Sequence, residues 1–121
     1  MADSKPVRLT LVAATWCPHC HPLSIEPTHR LAKLLGVPAR ILDIDVPSQE
    51  DEADRLIREF GTWDDDYVIP QVFLEWSDGS AQPVLVAHRG SPTSVTRAMW
   101  EQLFVDPGQL LARGSGSSAR R

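Results

Sequence analysis

The sequence predicts an α/β domain with a central mixed sheet of about four strands and helices on both faces, in the order β-α-β-α-β-β-α. Three observations lead there. Two strand-like runs, Val7–Ala13 and Arg40–Val46, flank a stretch whose leucines recur at helical spacing, the pattern of a βαβ unit. Two further β-rich runs surround Asp78-Gly79, a hairpin signal, and a last helical segment follows them. A mixed sheet covered on both faces accommodates both halves.

In Val7–Ala13, residues Val7, Leu9, Leu11 and Ala13 alternate with Arg8, Thr10 and Val12, as expected of a first strand. Pro18 suits a first helical position, where a missing N–H costs nothing. Leu31, Leu34 and Leu35 mark the apolar face of the segment, and Gly36 is its expected C′ residue. Pro22 and Pro27 interrupt it, which predicts a kinked helix or a second piece beginning near Thr28. The second strand, Arg40–Val46, lies between Pro38 and Pro47. A right-handed crossover would make it parallel to the first. Ser48 is the expected N-cap of the next helix, with Glu50, Asp51 and Glu52 in its first turn. Ala53, Leu56, Ile57 and Phe60 form its apolar face and Gly61 its end. Gln71–Trp76 and Pro83–Arg89 are the hairpin strands. Ser91-Pro92 opens a last helix with Val95, Ala98, Met99, Leu103 and Phe104 as its apolar residues, stopped by Asp106-Pro107-Gly108. One domain over residues 1–108 is expected, with 109–121 a disordered tail that has little to bury.

At 121 residues the chain fits one domain, and its net charge of −4 argues against binding nucleic acid by phosphate neutralisation. No apolar run approaches the ~18 residues of a membrane span. The apolar stretch Leu9–Ala14 is too short for a secretory signal, so the expected compartment is the cytoplasm. A monomer that touches neither nucleic acid nor membrane is the expectation. With only two cysteines the chain is no disulfide scaffold.

Those two, Cys17 and Cys20, lie in Trp16-Cys17-Pro18-His19-Cys20, between the first strand and the first helical segment. A thiolate is the nucleophile in disulfide exchange. A helix N-terminus, a Cys20 S–H three residues on and the imidazole of His19 would each favour it at Cys17. Residues at i and i+3 are near enough for the first turn to close into a disulfide. Cysteines in a small domain can also be inert buried thiols. Together with His19 and His21 they could bind zinc or copper, but one helical turn cannot wrap four ligands around an ion, so such a site would be shared between two chains.

W-C-P-H-C, followed about fifty residues later by Val68-Ile69-Pro70 at the start of a strand hairpin, resembles the thioredoxin/glutaredoxin superfamily over roughly Val7 to Val105. The resemblance implies a thioredoxin-like fold and a thiol–disulfide oxidoreductase, with Cys17 attacking and Cys20 resolving. Trp16, Pro18 and His19 would support them. Pro70 would be a cis-proline beside the dithiol, and the Ile69 backbone would pair with an extended substrate strand. No bound cofactor is implied. The redox-active disulfide would be reduced by an external reductase or a low-molecular-weight thiol, and the partners would be disulfide-containing proteins. The alternative is a thioredoxin-fold binding or metal-handling protein whose dithiol does not turn over.

The chain departs from the family's common forms. Thioredoxins carry G-P between the cysteines and glutaredoxins P-Y, whereas P-H is the dipeptide of the periplasmic oxidant DsbA. A histidine at position 19 should stabilise the reduced form and make the disulfide more oxidising. Leu11 stands where thioredoxins bury an acid, and Arg89-Gly90-Ser91-Pro92 only weakly resembles a glutathione-binding segment. Trp16 is read as a flat cap over the dithiol, and Trp63, Trp76 and Trp100 as core or half-buried residues. His21 and His29 are expected to be exposed and His88 structural. Asp64-Asp65-Asp66 reads as a solvated loop that could select basic partners.

Overall fold

The computed structural model describes residues 4–21, 23–63, 68–88 and 90–112. The expectations for Pro22, for the acidic run 64–66, for Arg89 and for a disordered tail after residue 113 lie outside the described residues. The elements are β1 (Pro6–Ala13), α1 (Ile25–Leu35), β2 (Ala39–Asp43), α2 (Pro47–Phe60), β3 (Gln71–Trp76), β4 (Ala81–Val86) and α3 (Thr93–Val105), followed by a 3₁₀ helix, Pro107–Ala112. The fold is α/β; the described residues form an open four-stranded mixed sheet in the order β2-β1-β3-β4 and three α-helices. β1 runs parallel to β2 and antiparallel to β3, and β3 is antiparallel to β4.

Alternation along the strands gives the sheet two different faces. Arg8, Thr10 and Val12 of β1 lie opposite Glu75, Phe73 and Gln71 of β3 and share one face. α2 covers it: a Cβ on Gly61, just after α2, would come within 2.7 Å of the Phe73 ring. α1 and α3 meet through side chains, with the Arg30 guanidinium 4.1 Å from the Phe104 ring centroid. Leu9, Leu11, Leu31, Leu56, Ile57, Phe73 and Leu74 are fully buried. They belong to one continuous core, in which each Å² of apolar surface removed from water contributes about 25 cal/mol.

Several boundaries differ from expectation, each for a local reason. The segment after β1 does not begin as a helix at Pro18, because α1 starts only at Ile25. The residues after Pro18 close separate turns instead, on the Cys17 and Cys20 carbonyls. Pro27 falls in the first turn of α1, where it is tolerated and starts no new piece. Gly36 does end α1, at φ 76°, while Val37 N–H donates to Ala32 C=O. Leu34, expected in the core, is 57% exposed.

β2 stops at Asp43 because Asp43 Oδ1 accepts from Asp45 N–H (2.8 Å) and turns the chain. Ser48 is not the cap of α2. Val46 is, with Pro47 at the first helical position. β4 lies earlier than expected, since Trp76 N–H already bonds Ser80 C=O (2.9 Å) and Gly79 takes φ 91° in the connecting turn. α3 is rotated from its expected face: Val95 and Ala98 are exposed, and Thr96 and Trp100 are buried. The 3₁₀ helix runs past residue 108, and Leu110 packs against the core.

Candidate active site

The register brings the motif residues to one end of the sheet. Ala13, the last residue of β1, pairs with Asp43 of β2, and Val12 pairs with Gln71 of β3. The chain therefore leaves β1 for Cys17 beside the loop after β2 and beside Ile69-Pro70, which lead into β3. Carboxyl ends of strands where neighbouring connections diverge are where open α/β sheets place their ligands.

Cys17 N–H donates to Ala14 C=O (3.2 Å), and Cys17 C=O accepts from both Cys20 N–H (3.0 Å) and His21 N–H (2.9 Å). This turn brings Cys17 and Cys20 together at 3.4 Å without a disulfide bond. Both are buried, Cys17 at 1% exposure and Cys20 at 0%. Thr15, Trp16 and Pro18, the neighbours of Cys17 in the chain, are all exposed. The expected helix N-terminus at Cys17 is absent. The amides of Cys20 and His21 bond the Cys17 carbonyl, and the start of α1 lies eight residues on.

His19 is not poised at the surface of the motif. It is 2% exposed, and its Nδ1 lies 2.7 Å from Oγ1 of Thr96 on α3, which is fully buried. Ser24 Oγ donates to the His19 carbonyl (2.6 Å) and accepts from Trp100 Nε1 (3.0 Å). Ser24, Thr96 and Trp100 were not among the expected site residues. Their sequence signal is a threonine and a tryptophan one helical turn apart, out of phase with the aliphatic residues of α3.

Trp16 is 53% exposed, and its Nε1 donates to Asp45 Oδ2 (2.7 Å) after β2, a further partner that spacing alone did not suggest. Trp76 and Trp100 are buried, but Trp63 lies at the surface with the Arg58 guanidinium 3.8 Å from its ring centroid. His29 and His88 are exposed and His21 is half-buried.

Ile69 and Pro70 are buried, and the peptide between them is cis. Pro70 C=O accepts from Ala87 N–H (3.0 Å). Gln71 fixes the approach to them. Its Oε1 accepts from Thr62 N–H (3.0 Å), and its Nε2 donates to the carbonyls of Thr62 (2.8 Å) and Val68 (2.6 Å). The fully buried Gln71 amide thus serves as a backbone surrogate between the chain after α2 and the approach to β3.

The acidic group buried in the sheet is not in the first strand. Leu11 is indeed buried there, but the acid is Glu75 on β3. It accepts from Arg8 (2.8 Å), from Arg40 (2.9 Å) and from Thr10 Oγ1. Burial alone would raise the Glu75 carboxyl. The Arg8 and Thr10 hydrogen bonds and the Arg40 and Arg8 charges outweigh it and hold the group below its ordinary value. Glu75 faces Arg8, so five strand residues, roughly 17 Å, separate it from the end of β1. That is too far for it to exchange protons directly with Cys20.

Among the described residues, no group of three or more His, Cys, Asp or Glu could hold a metal ion. None of their helices is long and apolar enough to cross a membrane. No family model, no curated protein and no solved structure matches this chain.

Proposed function

We propose that this protein is a thioredoxin-like thiol–disulfide oxidoreductase working through Cys17 and Cys20. The observation that carries the reading is the Cys17–Cys20 pair at 3.4 Å with no disulfide between them, formed by one turn at the carboxyl end of β1. The open mixed sheet and the cis Ile69–Pro70 peptide are in keeping with the superfamily that the W-C-P-H-C and Val68-Ile69-Pro70 motifs resemble.

In the proposed reaction the Cys17 thiolate attacks one sulfur of a substrate disulfide, and the other substrate sulfur leaves as a thiolate that takes up a proton. Cys20 loses its proton and attacks Cys17 in the mixed disulfide. The second substrate thiol departs and the Cys17–Cys20 disulfide remains, so two electrons have passed to the substrate. An external dithiol or low-molecular-weight thiol reduces the pair again. Because Cys17 is 1% exposed, attack requires the turn from Thr15 to Pro18 to lift, and the exposure of Thr15, Trp16 and Pro18 makes that a local movement.

That same burial favours a second reading, a binding protein of this fold whose dithiol does not turn over. Insulin reduction by dithiothreitol separates the two. Wild type accelerates it and Cys17→Ser falls to the uncatalysed rate; equal rates for both establish the second reading. Cys20→Ser should accumulate mixed disulfides with clients, and an intact variant that traps none would remove the resolving role.

A further inference from the structure

We infer that Thr96, on α3, is a positioning residue that acts through His19 to set the reduction potential of the Cys17–Cys20 pair. The inference rests on the thiol–disulfide reading and adds to it a residue far away in sequence.

The geometry is specific. His19 is held at two points by two α3 residues one helical turn apart, Thr96 and Trp100. Thr96 Oγ1 lies 2.7 Å from the ring at Nδ1. Trp100 acts through Ser24, which accepts from the indole (3.0 Å) and donates to the His19 carbonyl (2.6 Å). All four residues are at most 3% exposed, so these polar groups have left water and depend on one another. The helix has turned its exposed Val95 and Ala98 outward while this pair faces inward.

A hydroxyl can donate or accept, so Thr96 can serve Nδ1 whether or not that nitrogen carries a proton. Fixing Nδ1 fixes what Nε2 presents and the direction of the ring dipole. His19 belongs to the turn whose ends are the two cysteines, and that turn closes on the Cys17 carbonyl. In a buried site an oriented dipole acts on neighbouring charge more strongly than in water. With the ring held, the reduced pair is favoured; with Thr96 unable to bond it, the balance moves toward the disulfide.

The equilibrium to measure is balanced: one Cys17–Cys20 disulfide and two glutathione molecules give two protein thiols and one glutathione disulfide. Wild type and variants are equilibrated in graded glutathione buffers, quenched in acid and alkylated, and thermal unfolding is recorded alongside. Thr96→Val should shift the equilibrium toward the protein disulfide by about threefold to tenfold, where tenfold corresponds to about 30 mV for a two-electron couple. Thr96→Ser should return it to the wild-type value. His19→Leu should shift it the same way at least as far, and His19→Leu with Thr96→Val should go no further than His19→Leu alone. Thr96→Ala removes the same hydroxyl, so the test survives if the valine variant does not fold.

A Thr96 variant that melts earlier yet keeps the wild-type equilibrium would overturn the inference and leave a structural role. A double variant whose shift is the sum of the two single shifts would overturn action through His19. If wild type itself forms no Cys17–Cys20 disulfide in any buffer, the thiol–disulfide reading fails instead.

Discussion

The two ends of β1 bury polar groups in opposite ways. Near its start, Glu75 sits among Arg8, Arg40 and Thr10, a cluster of full charges bonded on several sides. Beyond its end, His19 is held by uncharged partners in series, the Trp100 indole through Ser24 on its carbonyl and the Thr96 hydroxyl on its ring. Charges buried with several partners strongly penalise removal of any one of them. A neutral chain of single bonds holds its members in place at less cost for a small displacement. The first arrangement suits a region that must stay put. The second suits a turn that must hold two sulfurs together and still release one to a substrate.

Removing charge at the first end should therefore unfold the protein without disabling the second. Glu75→Gln leaves Arg8 and Arg40 facing a neutral amide and should cost about 3 kcal/mol in urea unfolding. Disulfide-exchange activity per folded molecule should stay at the wild-type level; a parallel loss of activity would couple the two ends and break the comparison.

Acid sharpens the same point. The Glu75 carboxyl is held below its ordinary value in the folded state, so its stabilisation is present above about pH 4.3. It is lost as pH falls through the lower folded value. Glu52 is shifted the same way, its Arg55 hydrogen bond outweighing desolvation. Wild-type stability should thus fall steeply below about pH 4.5, and Glu75→Gln should follow a shallower line. Identical slopes in urea titrations at several pH values would show that Glu75 is not the responsible group.

Between the two ends lies the contact of Gly61 with Gln71 and Phe73. Gly61→Ala should cost about 1–3 kcal/mol, because the new methyl meets the Phe73 ring and the Gln71 amide that bonds Thr62 and Val68. The same substitution should raise KM for a protein disulfide more than for a small one if Ile69 presents backbone to clients, and equal changes would argue against that role. The smallest effect belongs to the surface. Arg58→Ala loses the Trp63 stacking and the Asp54 ion pair (3.0 Å), together about 0.5–1 kcal/mol. A larger loss in thermal unfolding would mean that this surface is less solvated than its geometry indicates.

Strand identity and helix order were legible in the sequence because each rests on short-range signals, whereas the cysteines sit in a turn and not in the helix expected there. Alternation at Leu9–Ala13, the glycine stops at Gly36 and Gly61 and the Asp78-Gly79 turn all act within a few residues. What was not legible depends on partners distant in the chain. Thr96 and Trp100 face inward because Ser24 and His19 offer hydrogen bonds more than seventy residues away. Hydrophobic spacing alone favoured Val95 and Ala98. Nothing near Arg8, Thr10 or Arg40 in the sequence announces the network that Glu75 draws across three strands. The later start of α1 reflects the turns that close on the Cys17 and Cys20 carbonyls before Ile25, which helical spacing does not reveal.

The most direct test is whether the two sulfurs pair reversibly. The intact wild-type protein is equilibrated with mixtures of reduced and oxidised glutathione, quenched in acid, alkylated and weighed by mass spectrometry. The account predicts that both alkylation sites disappear together, with loss of two hydrogens and a bond mapped to Cys17 and Cys20, and that both return on reduction. A protein that keeps two alkylatable thiols under the most oxidising mixture, or gains only glutathione adducts, would contradict it.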